Sequence, residues 1–142
     1  MVFDINRPRQ CYCCTEWLHI LKFQTPQETY LNICHSCMEK YSLTRADEKR
    51  IYAVVSTNND RTNPPGTITF AYWVEMLEQA QGNCSYCGKQ VGRNKLVLDH
   101  IEPLAGGGKN SNENIAPACT DCNSRKRCKS AEDWKRYVCA VV

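Results

Sequence analysis

Four Cys-x-x-Cys pairs constrain this chain more than any other feature: Cys11/Cys14, Cys34/Cys37, Cys84/Cys87 and Cys119/Cys122. Two residues between cysteines let both thiolates converge on one tetrahedral ion about 2.3 Å from each sulfur. A disulfide framework rarely repeats so tight a pair four times, and the total of eleven cysteines is odd. With 142 residues and apolar side chains spread thinly, the chain has little core to fold around and needs staples. The spacing therefore predicts two structural Zn²⁺ ions in a reduced protein. One is assigned to Cys11, Cys14, Cys34 and Cys37, the other to Cys84, Cys87, Cys119 and Cys122. Cys13, Cys128 and Cys139 are left over and are expected to be free, buried thiols, although Cys13 blurs which partner of Cys11 binds metal. His19 and His35 lie within the first cysteine module and offer alternatives to a thiolate.

Met1-Val2-Phe3-Asp4 lacks the basic and apolar regions of a signal peptide, and no run approaches the roughly 18 apolar residues of a membrane span. A cytoplasmic setting, in a bacterium or a phage-infected cell, is the expectation. The net charge of +3 says little, but its distribution says more. Residues 1–83 carry 8 Lys and Arg against 9 Asp and Glu, whereas residues 84–142 carry 10 against 6. Arg125, Lys126, Arg127 and Lys129 fall within five positions, a cluster suited to a polyanion such as a DNA backbone.

Two units are read along the chain. Residues 1–58 form an N-terminal zinc ribbon or knuckle, in which β-prone runs at 17–23 and 30–33 pair as a short hairpin, followed by a helix from about Arg45 to Ser56 with a Thr44/Asp47 capping box. Asn58 to Gly66 is rich in breakers and reads as a linker. Residues 67–142 form the second unit. Its first helix starts at a Thr67 or Thr69 cap, carries the core stripe Phe70, Trp73, Val74, Leu77 and Ala80, and ends at Gln81 with Gly82 as a left-handed cap. Then come a strand at 96–101, a Gly106-Gly107-Gly108 loop, a strand at 114–119, a basic helix, and a terminal helix from Ser130 through Val138.

Strand, loop, strand and helix, with Cys-x-x-Cys at both ends, resembles the cysteine-flanked HNH (ββα-metal) endonuclease family. The resemblance covers about residues 69–127. It rests on Asp-His-Ile-x-Pro at 99–103, the glycine turn, Asn-Ile-x-Pro-x-Cys at 114–119, and Cys-Asn-x-x-Lys at 122–126. It implies a small α+β fold, a ββα-metal core with two structural four-cysteine zinc sites and flanking helices. By the same resemblance Asp99 and Asn123 ligate a catalytic Mg²⁺ or Mn²⁺, His100 is the general base, and Asn114 orders the loop that orients His100. The basic cluster would contact the phosphates of double-stranded DNA.

The residue chemistry is compatible with that mechanism. Phosphodiester cleavage needs a water, a group to take its proton, and positive charge at the phosphate. Asp99 is a hard oxygen ligand and His100 titrates near neutrality. Adjacent strand residues point to opposite faces, so both can serve one water only if the strand ends or bends there, as nearby Pro103 suggests. The rival reading is a non-catalytic zinc module that contacts DNA or protein; it accounts for the cysteines but not for Asp99, His100 and Asn123. Phage, homing and restriction enzymes all belong to the family, and cutting both strands with one site per chain would require a homodimer.

Overall fold

The computed structural model describes residues 6–141, with side chains up to Tyr137; the Cys139 thiol lies outside the described residues. Strands β1 (Arg9–Gln10) and β2 (Trp17–Leu18) pair antiparallel, and α1 (His35–Lys40) follows. Next come α2 (Arg45–Asn59) and α3 (Phe70–Ala80). Strands β3 (Leu96–His100) and β4 (Ile115–Cys119) form the second sheet, and α4 (Thr120–Lys126) and α5 (Ala131–Val141) complete the chain. This is the small α+β arrangement expected. Among the described residues no helix is long and apolar enough to cross a membrane.

The eight paired cysteines gather into the two anticipated clusters, with all ligand atoms of each within 4.8 Å of one another. Observed Sγ–Sγ separations are 3.8 Å for Cys11–Cys37, 4.0 Å for Cys14–Cys34 and 3.9 Å for Cys87–Cys119. A tetrahedron with arms of about 2.3 Å has edges of about 3.8 Å, so both clusters fit zinc. Backbone amides tune the thiols. Burial alone would raise Cys84, but hydrogen bonds from neighbouring backbone groups bring it down to about 7, close to the thiolate a metal needs. Cys11, which accepts from the Cys34 N–H at 3.2 Å, is likewise lowered.

The expected pairing of runs 17–23 and 30–33 is corrected. Trp17–Leu18 pairs with Arg9–Gln10, residues Ile20–Phe23 form a 3₁₀ turn, and the two runs meet across Pro26 at an isolated Gln24–Tyr30 bridge, where the Leu31 N–H donates to the Phe23 carbonyl at 2.8 Å. The cause is local: His19 Nδ1 accepts from the Leu21 N–H and caps the turn, diverting that run from a strand. His35 instead meets the Gln24 carbonyl at 2.8 Å, and neither histidine joins the thiols. Cys13 is buried outside the cluster, whereas Cys128, expected to be buried, is exposed because the chain leaves α4 through a positive-φ Arg127.

Helix α2 has both hydrogen bonds of its Thr44/Asp47 capping box and runs three residues past the expected end. Thr69 caps α3, and Phe70, Trp73, Val74 and Leu77 are buried as the stripe requires. At its C-terminus the left-handed position belongs to Gln81 (φ 49°), one residue earlier than expected; Gly82 is also positive, and its carbonyl accepts from both Val91 and Gly92. One apolar core draws on Ile33, Ile51, Val55, Trp73, Leu98 and Ile115, from both sides of residues 59–66. A second, smaller core packs Trp134 of α5 against Cys84, Cys119, Cys122 and Ala118.

Two zinc ions per chain are expected by elemental analysis. Cys122→Ser should leave about one and destabilise the fold by at least ~3 kcal/mol, lowering the thermal midpoint by roughly 10 °C. Two ions retained by the variant would show that Cys122 is not a ligand.

Candidate active site

Strand β3 pairs with β4 in the register Asp99↔Ala116 and His100↔Ile115, and His100 is its last residue. One further rung follows, the Ile101 N–H donating to the Asn114 carbonyl at 2.9 Å, before Pro103 opens a 3₁₀ turn and takes the chain out of the sheet. At this strand end Asp99 and His100 both line one cavity despite their adjacency. That cavity, of about 390 Å³, also receives Asn123 from the first turn of α4, together with Arg61 and Arg127. A larger surface groove of about 570 Å³, between Pro26 and Leu43, holds none of these groups.

Three hydrogen bonds from the Asn114 side chain tie down the loop between the strands. Its Oδ1 accepts from Glu102 N–H at 2.8 Å, and its Nδ2 donates to the carbonyls of Glu102 at 2.9 Å and Lys109 at 2.7 Å. Gly108 packs so closely on the Glu102 backbone that any Cβ there would overlap it.

Asp99 is 7% exposed and is held by two donors on one oxygen. Tyr86 Oη donates to Oδ2 at 2.6 Å, and Lys126 Nζ lies 3.0 Å from the same atom. Burial and the facing carboxylate push the Tyr86 phenol far above its usual range, so it stays a donor. Lys126 Nζ also donates to the His100 carbonyl at 2.8 Å. Lys126 was expected at a DNA phosphate; with 0% exposure it cannot reach one, and it neutralises Asp99 instead. Helical spacing explains the reversal, since Cys122 and Lys126 are four residues apart on the buried face of α4. Arg125, Arg127 and Lys129 are exposed, and Arg125 lies over the Trp134 ring at 5.8 Å.

His100 is 5% exposed, and its Nε2 is 2.9 Å from Asn110 Oδ1. Its pKa is lowered, chiefly by burial, with Arg61 and Lys126 adding to the effect and Asn110 and Asp99 opposing it. The imidazole is therefore neutral at pH 7, the form that can accept a proton. Asn123 supplies a carboxamide and Asp99 a carboxylate to the same cavity, a hard-oxygen donor set of the kind Mg²⁺ and Mn²⁺ prefer.

Residues 84–129 match the family described as HNH endonuclease. The chain carries an HNH endonuclease domain. A stretch of 54 residues is 39% identical to the CRISPR-associated endonuclease Cas9 of Actinomyces naeslundii, and one of 53 residues is 34% identical to that of Corynebacterium diphtheriae; each covers 37% of this chain. The match spans about 5% of the length of either relative. The matched HNH segment holds Asp99, His100, Asn114 and Asn123 and the whole second thiol cluster. Arg61 lies outside it, on residues read from sequence as a linker, where no motif signals its approach to His100. Tyr86 sits within the Cys84/Cys87 knuckle, where its ring could be noticed but not its partner.

Removing one member of a buried ion pair strands the other. Lys126→Met should lower stability by about 3–5 kcal/mol in urea titrations without added Mg²⁺. Adding Asp99→Asn should recover part of that loss; a double-variant loss equal to the sum of the two single-variant losses would show that the pair is not coupled.

Proposed function

We propose that this protein is a divalent-metal-dependent DNA endonuclease that hydrolyses phosphodiester bonds with His100 as general base. The observation that carries the reading is the single cavity shared by Asp99, His100 and Asn123, in which a neutral imidazole lies beside two hard oxygen donors and two guanidinium groups. Asp99 and Asn123 would hold one Mg²⁺ or Mn²⁺. The Tyr86 and Lys126 bonds fall on Asp99 Oδ2, which leaves Oδ1 as the ligand oxygen. A bound cation of this kind supplies positive charge where a phosphate oxygen and the leaving oxygen become more negative.

His100 takes the proton of the attacking water, which it can do because burial keeps the ring uncharged. Asn114 contributes by rigidity, fixing the loop that leaves His100. Arg61 and Arg127 face the same cavity and would bind the phosphate being cut, while exposed Arg125 and Lys129 extend the positive surface along the DNA backbone. Zinc in the two thiol clusters would be structural. A single site attacks one strand at a time, so one chain acting alone nicks a duplex.

A supercoiled-plasmid assay with Mg²⁺ or Mn²⁺ tests the proposal directly. The parent should convert supercoiled to open-circular DNA, and His100→Ala should be slower by on the order of 10²–10⁴-fold. Equal rates would remove His100 from the chemistry and leave a zinc-folded binding module.

The rate should also depend on pH in a defined direction. Because the folded pKa of His100 is lowered, the base is present at neutral pH and is lost only as pH falls through a value below the ordinary imidazole figure of about 6.5. Arg61→Met removes one of the charges that lower it, so the acid limb of the profile should move upward. An acid limb above 6.5 in the parent would contradict the electrostatics of the cavity.

A further inference from the structure

We infer that Asn110 is a positioning residue that holds the proton of His100 on Nε2 and so leaves the Nδ1 lone pair for the water; this role rests on the nuclease reading. The backbone carbonyl of Asn58, at the end of α2, can only accept, and it lies 2.7 Å from one terminal atom of the Asn110 amide. That atom is therefore the nitrogen, which also reaches Thr62 Oγ1 at 3.1 Å. The amide oxygen is then the atom that faces His100 Nε2 at 2.9 Å. An amide oxygen only accepts, so Nε2 must carry hydrogen, and a neutral imidazole has one N–H. Nδ1 is left unprotonated.

Residues 58–67 form the socket that makes this arrangement rigid. The Thr67 N–H donates to the Asn110 carbonyl at 2.8 Å, so both backbone and side chain of Asn110 are fixed from that segment. Gly66 packs directly on the amide: a Cβ at that position would overlap Asn110 Nδ2 and would lie only 2.7 Å from Asn59 Oδ1. Gly66 has no positive φ, so its lack of a side chain is a requirement of the Asn110 amide and not of the backbone. Asn59 in turn pairs with both backbone groups of Ile68, at 2.8 and 2.9 Å. The segment that leads out of α2 thus sets which nitrogen of the catalytic histidine is basic. None of Asn58, Thr62, Gly66 or Asn110 bears a cysteine ligand or touches the thiol clusters.

The test reads the tautomer and the rate separately on the zinc-loaded full chain. With ¹⁵N-histidine labelling at a pH where the imidazole is neutral, long-range ¹H–¹⁵N correlation should show His100 protonated at Nε2 in the parent. Asn110→Ala should give a mixed tautomer, with kcat for plasmid nicking lower by on the order of 10–100-fold and KM for DNA within about twofold. Gly66→Ala removes no polar group and should move both readouts in the same direction by displacing the amide, which keeps the test decisive if Asn110→Ala does not fold. A parent protonated at Nδ1 would overturn the inference, as would an unchanged tautomer and kcat in both Asn110→Ala and Gly66→Ala. A parent with the Nε2 proton that depends on Asn110, yet with no nicking, would uphold the hold on the imidazole and overturn the nuclease reading.

Discussion

The second thiol cluster is the constraint on which the candidate active site depends. Cys84 and Cys87 come from a knuckle before β3, and Cys119 and Cys122 close β4 and open α4. One ion held by all four would fix the first turn of α4 against the sheet in a region whose apolar core is little more than Trp134 and Ala118. The lining of the cavity beside Asp99 follows from that placement. Asn123 is the residue after Cys122, and Lys126 lies one turn further on the same helix. Metal–sulfur bonds at this cluster would set their positions relative to Asp99 more stiffly than the packing this small region could supply.

Around that anchor the site is organised by buried polar groups, each with a defined partner. Asp99, in a nearly dry position, faces both Lys126 and Tyr86, and Lys126 is itself satisfied by the His100 carbonyl. A buried pair of this kind contributes little net stability against an apolar alternative, but it is costly to break. Its value lies in geometry: one lysine touches the carboxylate and the backbone of the histidine beside it, so the two cannot drift apart.

Much of this was legible. The Cys-x-x-Cys spacing named all eight cluster thiols, since tetrahedral coordination leaves few ways to pair cysteines two residues apart. The Thr44/Asp47 box, the Thr69 cap and the Phe70–Leu77 stripe were readable because caps and helical periodicity are local. Failures came where local preference met a competing partner. The β-prone run after Trp17 was diverted by the His19 cap, the left-handed residue after α3 was Gln81 although Gly82 was available, and Cys128 lies on the surface. Lys126 was misassigned for a related reason: a run of cations looks uniform in sequence, yet a helix sends every fourth residue to the same side.

By itself the sequence determined which eight thiols gather, helices α2 and α3 and the two long strands, and it singled out Asp99, His100, Asn114 and Asn123, because those follow from spacing, capping and motif order. Tertiary structure alone decided that Lys126 turns inward to a carboxylate, that Arg61 reaches the cavity from 38 positions before Asp99 in the chain, and that Asn110 is clamped between Asn58 and His100. Each of these is a contact between residues distant in sequence, with one partner a backbone carbonyl or a buried charge. Such contacts have no periodicity, and they exist only once the chain has closed on itself.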